Sequence, residues 1–151
     1  MRRILAAAAT LGLAGLGALV PASGSQAASE ACDNAWHNAP SGHFRAYNSS
    51  NCSGLLGSDP GYDGNWSNSE GRFQGTDNDK ATSLVHKGTS GMAVKVYQHS
   101  HYSGGHTCLA KAEYYMDTLS GHYYTNGVSV NNSISSHEWA WHSNCAKFLD
   151  S

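Results

Sequence analysis

Two polar hexapeptides, Asn78-Asp79-Lys80-Ala81-Thr82-Ser83 and Asn131-Asn132-Ser133-Ile134-Ser135-Ser136, each close a stretch that opens with a matching string. The openings are HFRAYNSSNCSG at residues 43–54 and AVKVYQHSHYSG at 93–104. In each, a short alternating apolar run ends on a tyrosine, Tyr47 or Tyr97. Four residues follow, then Cys52 or Tyr102, and then Ser-Gly ending at Gly54 or Gly104. An internal repeat of about 50 residues restricts the fold sharply, because a unit that small cannot hold a core and two of them must share one.

The composition between these landmarks is that of short strands and tight turns. Gly, Asn, Ser and Tyr are frequent, only 3 prolines occur in the whole chain, and sustained 3.6-residue periodicity is scarce. Period-two alternation predicts half-buried strands over residues 44–47, 83–86, 94–97 and 135–141. The best helical window, LAKAEYYMDTL over 109–119, ends at Ser120-Gly121 and allows a turn or two. Two halves of about four strands, joined by 87–92, predict an all-β sandwich of two antiparallel sheets with Greek-key connections. Val94, Val96, Leu109, Leu84, Ile134 and Trp139 are expected on the inner faces.

The start of the chain sets the compartment. Arg2 and Arg3 precede an apolar run over 4–20, and Ser25-Gln26-Ala27 has the small residues of a cleavage site. Residues 1–27 therefore read as a secretory signal peptide, residues 28–42 as an N-terminal segment tied by a disulfide, and 43–151 as one domain. Greek key 1 covers about 43–88 and Greek key 2 about 93–142. The run stops at Pro21, short of the roughly 20 apolar residues of a membrane anchor.

An exported small domain with four cysteines reads as two disulfides. Three connectivities are open for Cys32, Cys52, Cys108 and Cys145; the pairing Cys32–Cys52 with Cys108–Cys145 is preferred because each bridge then staples one half. Loss of Arg2 and Arg3 leaves seven basic against eleven acidic side chains, a net charge of −4 with His neutral. No Lys/Arg run occurs, which disfavours nucleic acid and anionic membranes as partners. A monomeric, extracellular protein is expected.

The paired Tyr-x-x-x-x-Tyr/Cys-Ser-Gly hairpins and paired clamps resemble the two Greek-key motifs of the βγ-crystallin family, over about residues 43–142. The resemblance implies that Gly54 and Gly104 take a backbone conformation that a Cβ disfavours. It also implies that Ser83 and Ser136 hydrogen-bond the folded hairpin. Cys52, where the pattern prefers an aromatic, is a departure that implies a disulfide in place of ring packing.

The clamps carry a chemical implication as well. Calcium takes six to eight oxygens at flexible distances, and an Asn/Asp, Asn/Asp, any, any, Ser/Thr string offers side-chain oxygens, a carbonyl and a hydroxyl in one loop. The family pattern implies two weak calcium sites that share ligands across the clamps. The ligands carried over are the side chains of Asp79 and Asn132, the carbonyls of Lys80 and Ser133, and the hydroxyls of Thr82 and Ser135, with Asn78 and Asn131 shaping the loops. With Asp79 the only anion, affinity on the order of 10⁻⁵–10⁻³ M is expected, with NDKATS the better clamp.

Among exported microbial crystallin-like proteins, the chain resembles small metalloproteinase inhibitors, which implies an extracellular metalloproteinase as partner. The stretch 57–75 and the hairpin 98–106 are the candidate contact loops. The alternative is a calcium-stabilised structural module or a glycan-binding, toxin-like one, with Tyr62, Trp66, Tyr114, Tyr115, Tyr123 and Tyr124 stacking on sugar. His99, His101 and His106 cluster without a third ligand of clear placement, and His142 and Glu138 read as a surface pair. No Gly-x-Ser-x-Gly elbow, P-loop or dinucleotide fingerprint occurs, so the sequence points away from an enzyme.

Overall fold

The hairpin string AVKVYQH buries Ala93, Val94, Val96 and Tyr97, and in the computed structural model, which describes residues 24–150, it forms one strand of a two-sheet sandwich. Residues 1–23, which hold most of the predicted signal peptide, lie outside the described residues. The strands are β1 (Phe44–Ser49), β2 (Ser53–Asp59), β3 (Ser83–His86), β4 (Ala93–His99), β5 (Ser103–Leu109), β6 (Tyr115–Met116), β7 (Ser136–Ala140) and β8 (Phe148–Leu149). One sheet has the order β2-β1-β3-β6 and the other β7-β4-β5-β8. The four predicted strands correspond to β1, β3, β4 and β7. One expectation fails: β8 runs parallel to β5, with Cys108 opposite Phe148 and Leu109 opposite Leu149.

Each half reaches across to the other's sheet. β6 belongs to the second half but pairs with β3 of the first, Leu84 opposite Met116. Reciprocally, Asp63 of the first half bridges His137 of β7, and the Trp66 N–H donates to the Ser135 carbonyl at 3.0 Å. The first sheet is thus completed by a strand of the second half, and the second sheet is bridged at its β7 edge by Asp63 of the first, which ties the two repeats together. The core between the sheets holds Phe44, Trp66, Phe73, Leu84, Val94, Val96, Leu109, Met116, Tyr124 and Ile134, all at most 1% exposed. Trp139, expected inside, is only partly buried.

Two local segments gain detail. Residues 28–42 are not merely a tied segment: α1 (Gly24–His37) is a helix, with Cys32, Ala35 and Trp36 at i, i+3 and i+4 facing the sheet. Cleavage after Ala27 would remove its first turn. In the window 109–119 one 3₁₀ turn forms, Lys111–Glu113, within the turn or two expected, and Tyr114 at φ +60° breaks the helical path before β6.

Both disulfides have the preferred pairing, Cys32–Cys52 and Cys108–Cys145, across sequence separations of 20 and 37. The first ties α1 to the first hairpin, assisted by the Trp36 Nε1–H donating to the His86 carbonyl at 2.9 Å. Replacing either pair by alanine is expected to lower stability by about 2–4 kcal/mol, and the longer loop to lose about 0.5 kcal/mol more. Urea denaturation of the two double variants reads both quantities. Two disulfides fit an oxidising compartment, and among the described residues no helix is long and apolar enough to cross a membrane.

Candidate metal centre

The serine that ends each clamp holds a folded hairpin. Ser83 Oγ donates to the Ser49 carbonyl at 2.7 Å and accepts from the Cys52 N–H at 3.0 Å. Ser136 does the same for the His99 carbonyl and the Tyr102 N–H, at 2.7 and 3.3 Å. Asn51 and Cys52, and His101 and Tyr102, all have φ between 53° and 61°, and Gly54 and Gly104 follow at +69° and +77°. A Cβ on Gly54 would lie 1.9 Å from Asn48 Oδ1, and on Gly104 2.6 Å from the His99 ring, so the hairpin's close return favours glycine there.

One residue earlier in each clamp, the hydroxyls meet the opposite repeat. Asp79 and Asn132 both take the left-handed conformation, at φ +56° and +55°. Their N–H groups donate across the pseudo-twofold axis, Asp79 to the Ile134 carbonyl at 3.1 Å and Asn132 to the Ala81 carbonyl at 2.9 Å. This aims each side chain at the other clamp. Thr82 Oγ1 lies 3.1 Å from Asn132 Oδ1, 3.2 Å from the Asn48 carbonyl and 3.5 Å from the Lys80 carbonyl. Ser135 Oγ lies 3.1 Å from Asp79 Oδ1 and 3.0 Å from the Gln98 carbonyl.

A hydroxyl has one proton to donate. Thr82 therefore satisfies one of three converging acceptors, and Ser135 one of two. Each cluster is oxygen-dense and donor-poor, which is the environment of a hard cation. Asn131 Oδ1, next in sequence to Asn132, is a buried acceptor with no hydrogen-bond partner among the described residues. The Ser133 carbonyl accepts from the Tyr124 hydroxyl at 3.0 Å, which leaves it one free lone pair. Burial raises the Tyr124 pKa and keeps that phenol a donor. Asn78 Nδ2 donates to Asp79 Oδ2 at 2.8 Å and so shapes its loop. The residues present thus fit a calcium ion.

The crossing decides which oxygen cluster carries the charge. The one carboxylate, Asp79, is delivered to the Ser135 hydroxyl, while Thr82 of NDKATS faces the neutral Asn132. The charged site is the one built on the second clamp. The carbonyls of Asn48 and Gln98 were not among the residues singled out from the sequence; they occupy matching positions directly after Tyr47 and Tyr97.

Other sequence candidates are not brought together. Among the described residues no group of three or more His, Cys, Asp or Glu side chains is placed to hold a metal; His106 packs on Tyr97. Glu138 accepts from the Tyr97 hydroxyl and His142 packs on Phe148, so they are not a surface pair. The stretch 57–75 is not a free loop, because Asp59, Asp63, Trp66 and Phe73 are buried. Trp66 Nε1–H donates to His137 Nδ1 at 3.0 Å, and the fully buried His137 presents Nε2 to Asp59 Oδ2 at 3.6 Å. Burial lowers the His137 pKa to about 3 and raises that of Asp59.

No family model and no curated protein matches the sequence. A solved structure reported under "Evolution of the eye lens beta-gamma-crystallin domain fold" superposes with a TM-score of 0.51 at 18% identity, covering 69% of this chain and 91% of that one. The chain has the βγ-crystallin domain fold. Within this crystallin fold the two hairpins are braced differently. Tyr102 packs edge-on against Tyr97, ring centroids 5.7 Å apart, whereas Cys52 reaches Cys32 and packs with Tyr47 and Val85. Of the aromatics offered for sugar stacking, Trp66 and Tyr124 belong to the crystallin core; Tyr62, Tyr114 and Tyr123 are exposed.

Proposed function

We propose that the protein is an exported crystallin-type module that binds two calcium ions through its crossed clamps and inhibits an extracellular metalloproteinase. The observation that carries the calcium part is the convergence of several acceptor oxygens on each single hydroxyl, Thr82 and Ser135. Bound calcium would supply the charge those oxygens lack and tie the two repeats together. Asp79, Ser135 and the Gln98 and Ser133 carbonyls would hold one ion; Asn132, Thr82 and the Asn48 and Lys80 carbonyls would hold the other. Water would complete each shell.

A ligand at a hundredfold excess over its Kd stabilises by about 2.7 kcal/mol per site. Calcium at a hundredfold excess, about 1 mM at the tight end of the expected range and on the order of 100 mM at the weak end, is therefore expected to raise the Tm by several degrees over EDTA. Asp79→Ala is expected to remove the larger share of that rise and Thr82→Ala the smaller, with the double variant indifferent to calcium. A Tm that is the same in calcium and EDTA refutes the reading.

The inhibitor part draws on the resemblance and on a scaffold braced by two disulfides, which suits a surface that must resist cleavage while bound. It is tested by residual activity of a thermolysin-like protease and of a serine protease. Inhibition of the first alone supports it. Inhibition of neither withdraws the peptidase role and leaves the calcium-stabilised module.

A further inference from the structure

Residues 62–71 wrap around the buried carboxylate of Asp63, whose Oδ1 accepts from the Asn65 N–H at 3.0 Å and Oδ2 from the Phe73 N–H at 3.2 Å. Gly71, at φ +79°, closes the arc where a Cβ would lie 2.3 Å from Asp63 Oδ2. Further side-chain-to-backbone bonds stiffen it: Asn65 Oδ1 accepts from the Ser67 N–H at 3.0 Å and Asn68 Oδ1 from the Glu70 N–H at 2.9 Å. The arc abuts the second hairpin through the His101 N–H, which donates to the Gly64 carbonyl at 2.6 Å. Between them lies a depression of about 270 Å³ lined by Tyr62, Asp63, Asn65, Asn68, Glu70 and His101.

The groups left unspent there form a set. Both asparagine oxygens are fixed by backbone donors, so both Nδ2 amides remain as donors without a partner among the described residues. The Glu70 carboxylate is an unspent acceptor, and His101 engages Ser100 through Nδ1, leaving Nε2. Tyr62 stands at the rim 74% exposed. A pyranose ring has the complementary chemistry: a face of C–H groups that packs on an aromatic face, and an edge of hydroxyls that both donate and accept. The volume is below the roughly 300–1,000 Å³ of drug-sized sites and suits one ring. Two carboxylates and no lysine or arginine in the lining turn away uronates and phosphates.

We propose that this depression binds a neutral or amino-sugar residue of a polysaccharide, with Tyr62 as the stacking platform and Asn65, Asn68 and Glu70 as hydroxyl partners. It uses no clamp residue and stands whether or not calcium binds. The test is depletion of the protein from solution by cellulose, chitin and chitosan, with polygalacturonate as the acidic control, in calcium and in EDTA. Retention on at least one of the first three, unchanged by EDTA and absent on polygalacturonate, is expected. Tyr62→Ala should weaken it at least tenfold, whereas Tyr123→Ala, an exposed tyrosine outside the depression, should leave it unchanged. The exposure of Tyr62 keeps its truncation from threatening the fold, which a matched Tm verifies. Retention on none of the three, equal retention by Tyr62→Ala, loss in EDTA, or equal retention on polygalacturonate overturns the proposal.

Discussion

Trp66→Ala should lose on the order of 5 kcal/mol, a large part of the 5–15 kcal/mol that holds a domain of this size. Two effects add. Removing a buried indole leaves a cavity worth about 3–5 kcal/mol, and this one is stacked on Phe73 with centroids 4.0 Å apart and planes 9° from parallel. The indole N–H also goes, stranding His137 Nδ1 in the core at about 1–3 kcal/mol. Trp66→Phe separates the terms, since it keeps most of the stack and loses only the donor; a loss on the order of 2 kcal/mol is expected. Urea denaturation reads both. Equal losses for the two variants would mean that the hydrogen bond, and not the packing, carries the effect.

The size of that effect was hidden from the sequence, where Trp66 sits in a polar run, GYDGNWSNSEGRF, and reads as a surface aromatic. What buries it is the crossing of its segment onto β7, and its partner His137 is 71 residues away. Long-range pairing of this kind leaves no periodic trace. β1, β3, β4 and β7 were legible because their sequences alternate apolar with polar residues, although in the fold β3 is buried along its whole length. β2 and β5 were not, since SGLLGSD and SGGHTCL have weak strand propensity and are strands because a hairpin folds them onto β1 and β4. The helix α1 was missed for another reason. Its apolar stripe is only Cys32, Ala35 and Trp36, and the disulfide and the Lys87 ammonium over Trp36, 3.1 Å from the ring centroid, do the rest.

At the clamps the legible part is the side chains. Asp79, Thr82, Asn132 and Ser135 are visible as a repeated string, and the hairpin-holding serines with them. The Asn48 and Gln98 oxygens are main-chain atoms, so no residue type marks them. The crossing that gives Asp79 to Ser135 depends on two left-handed residues, Asp79 and Asn132, whose N–H groups donate to the opposite clamp. A string of letters records the ligands of such a site but not which of them share an ion.

The stability of the protein should fall as pH drops below about 6.5, and His137→Gln should flatten that fall. His137 accepts from Trp66 through Nδ1, so the neutral ring carries its proton on Nε2, facing Asp59. Protonation would place a cation where Trp66 already holds the other nitrogen, in a site with no solvent exposure. The folded pKa is accordingly depressed to about 3 by burial, against about 6.5 in the unfolded chain. The contribution is fully present above pH 6.5 and is lost as pH falls toward 3, because the unfolded state alone takes up the proton. The slope from this one group reaches about 1.4 kcal/mol per pH unit, a few kcal/mol across the window. Asp59 has the opposite sign: burial raises its folded pKa, so the folded state takes up a proton first at the acid end and offsets part of the loss. His86, also lowered by burial, adds to the loss and is untouched by the substitution. The amide of His137→Gln can accept from Trp66 and donate toward Asp59 without titrating. Urea-derived stabilities from pH 7 to 4.5 should therefore diverge in slope between the two proteins, whatever their difference at pH 7. Parallel pH profiles would show that His137 takes up its proton in the folded state as readily as in the unfolded one, with Asp59 supplying the counter-charge.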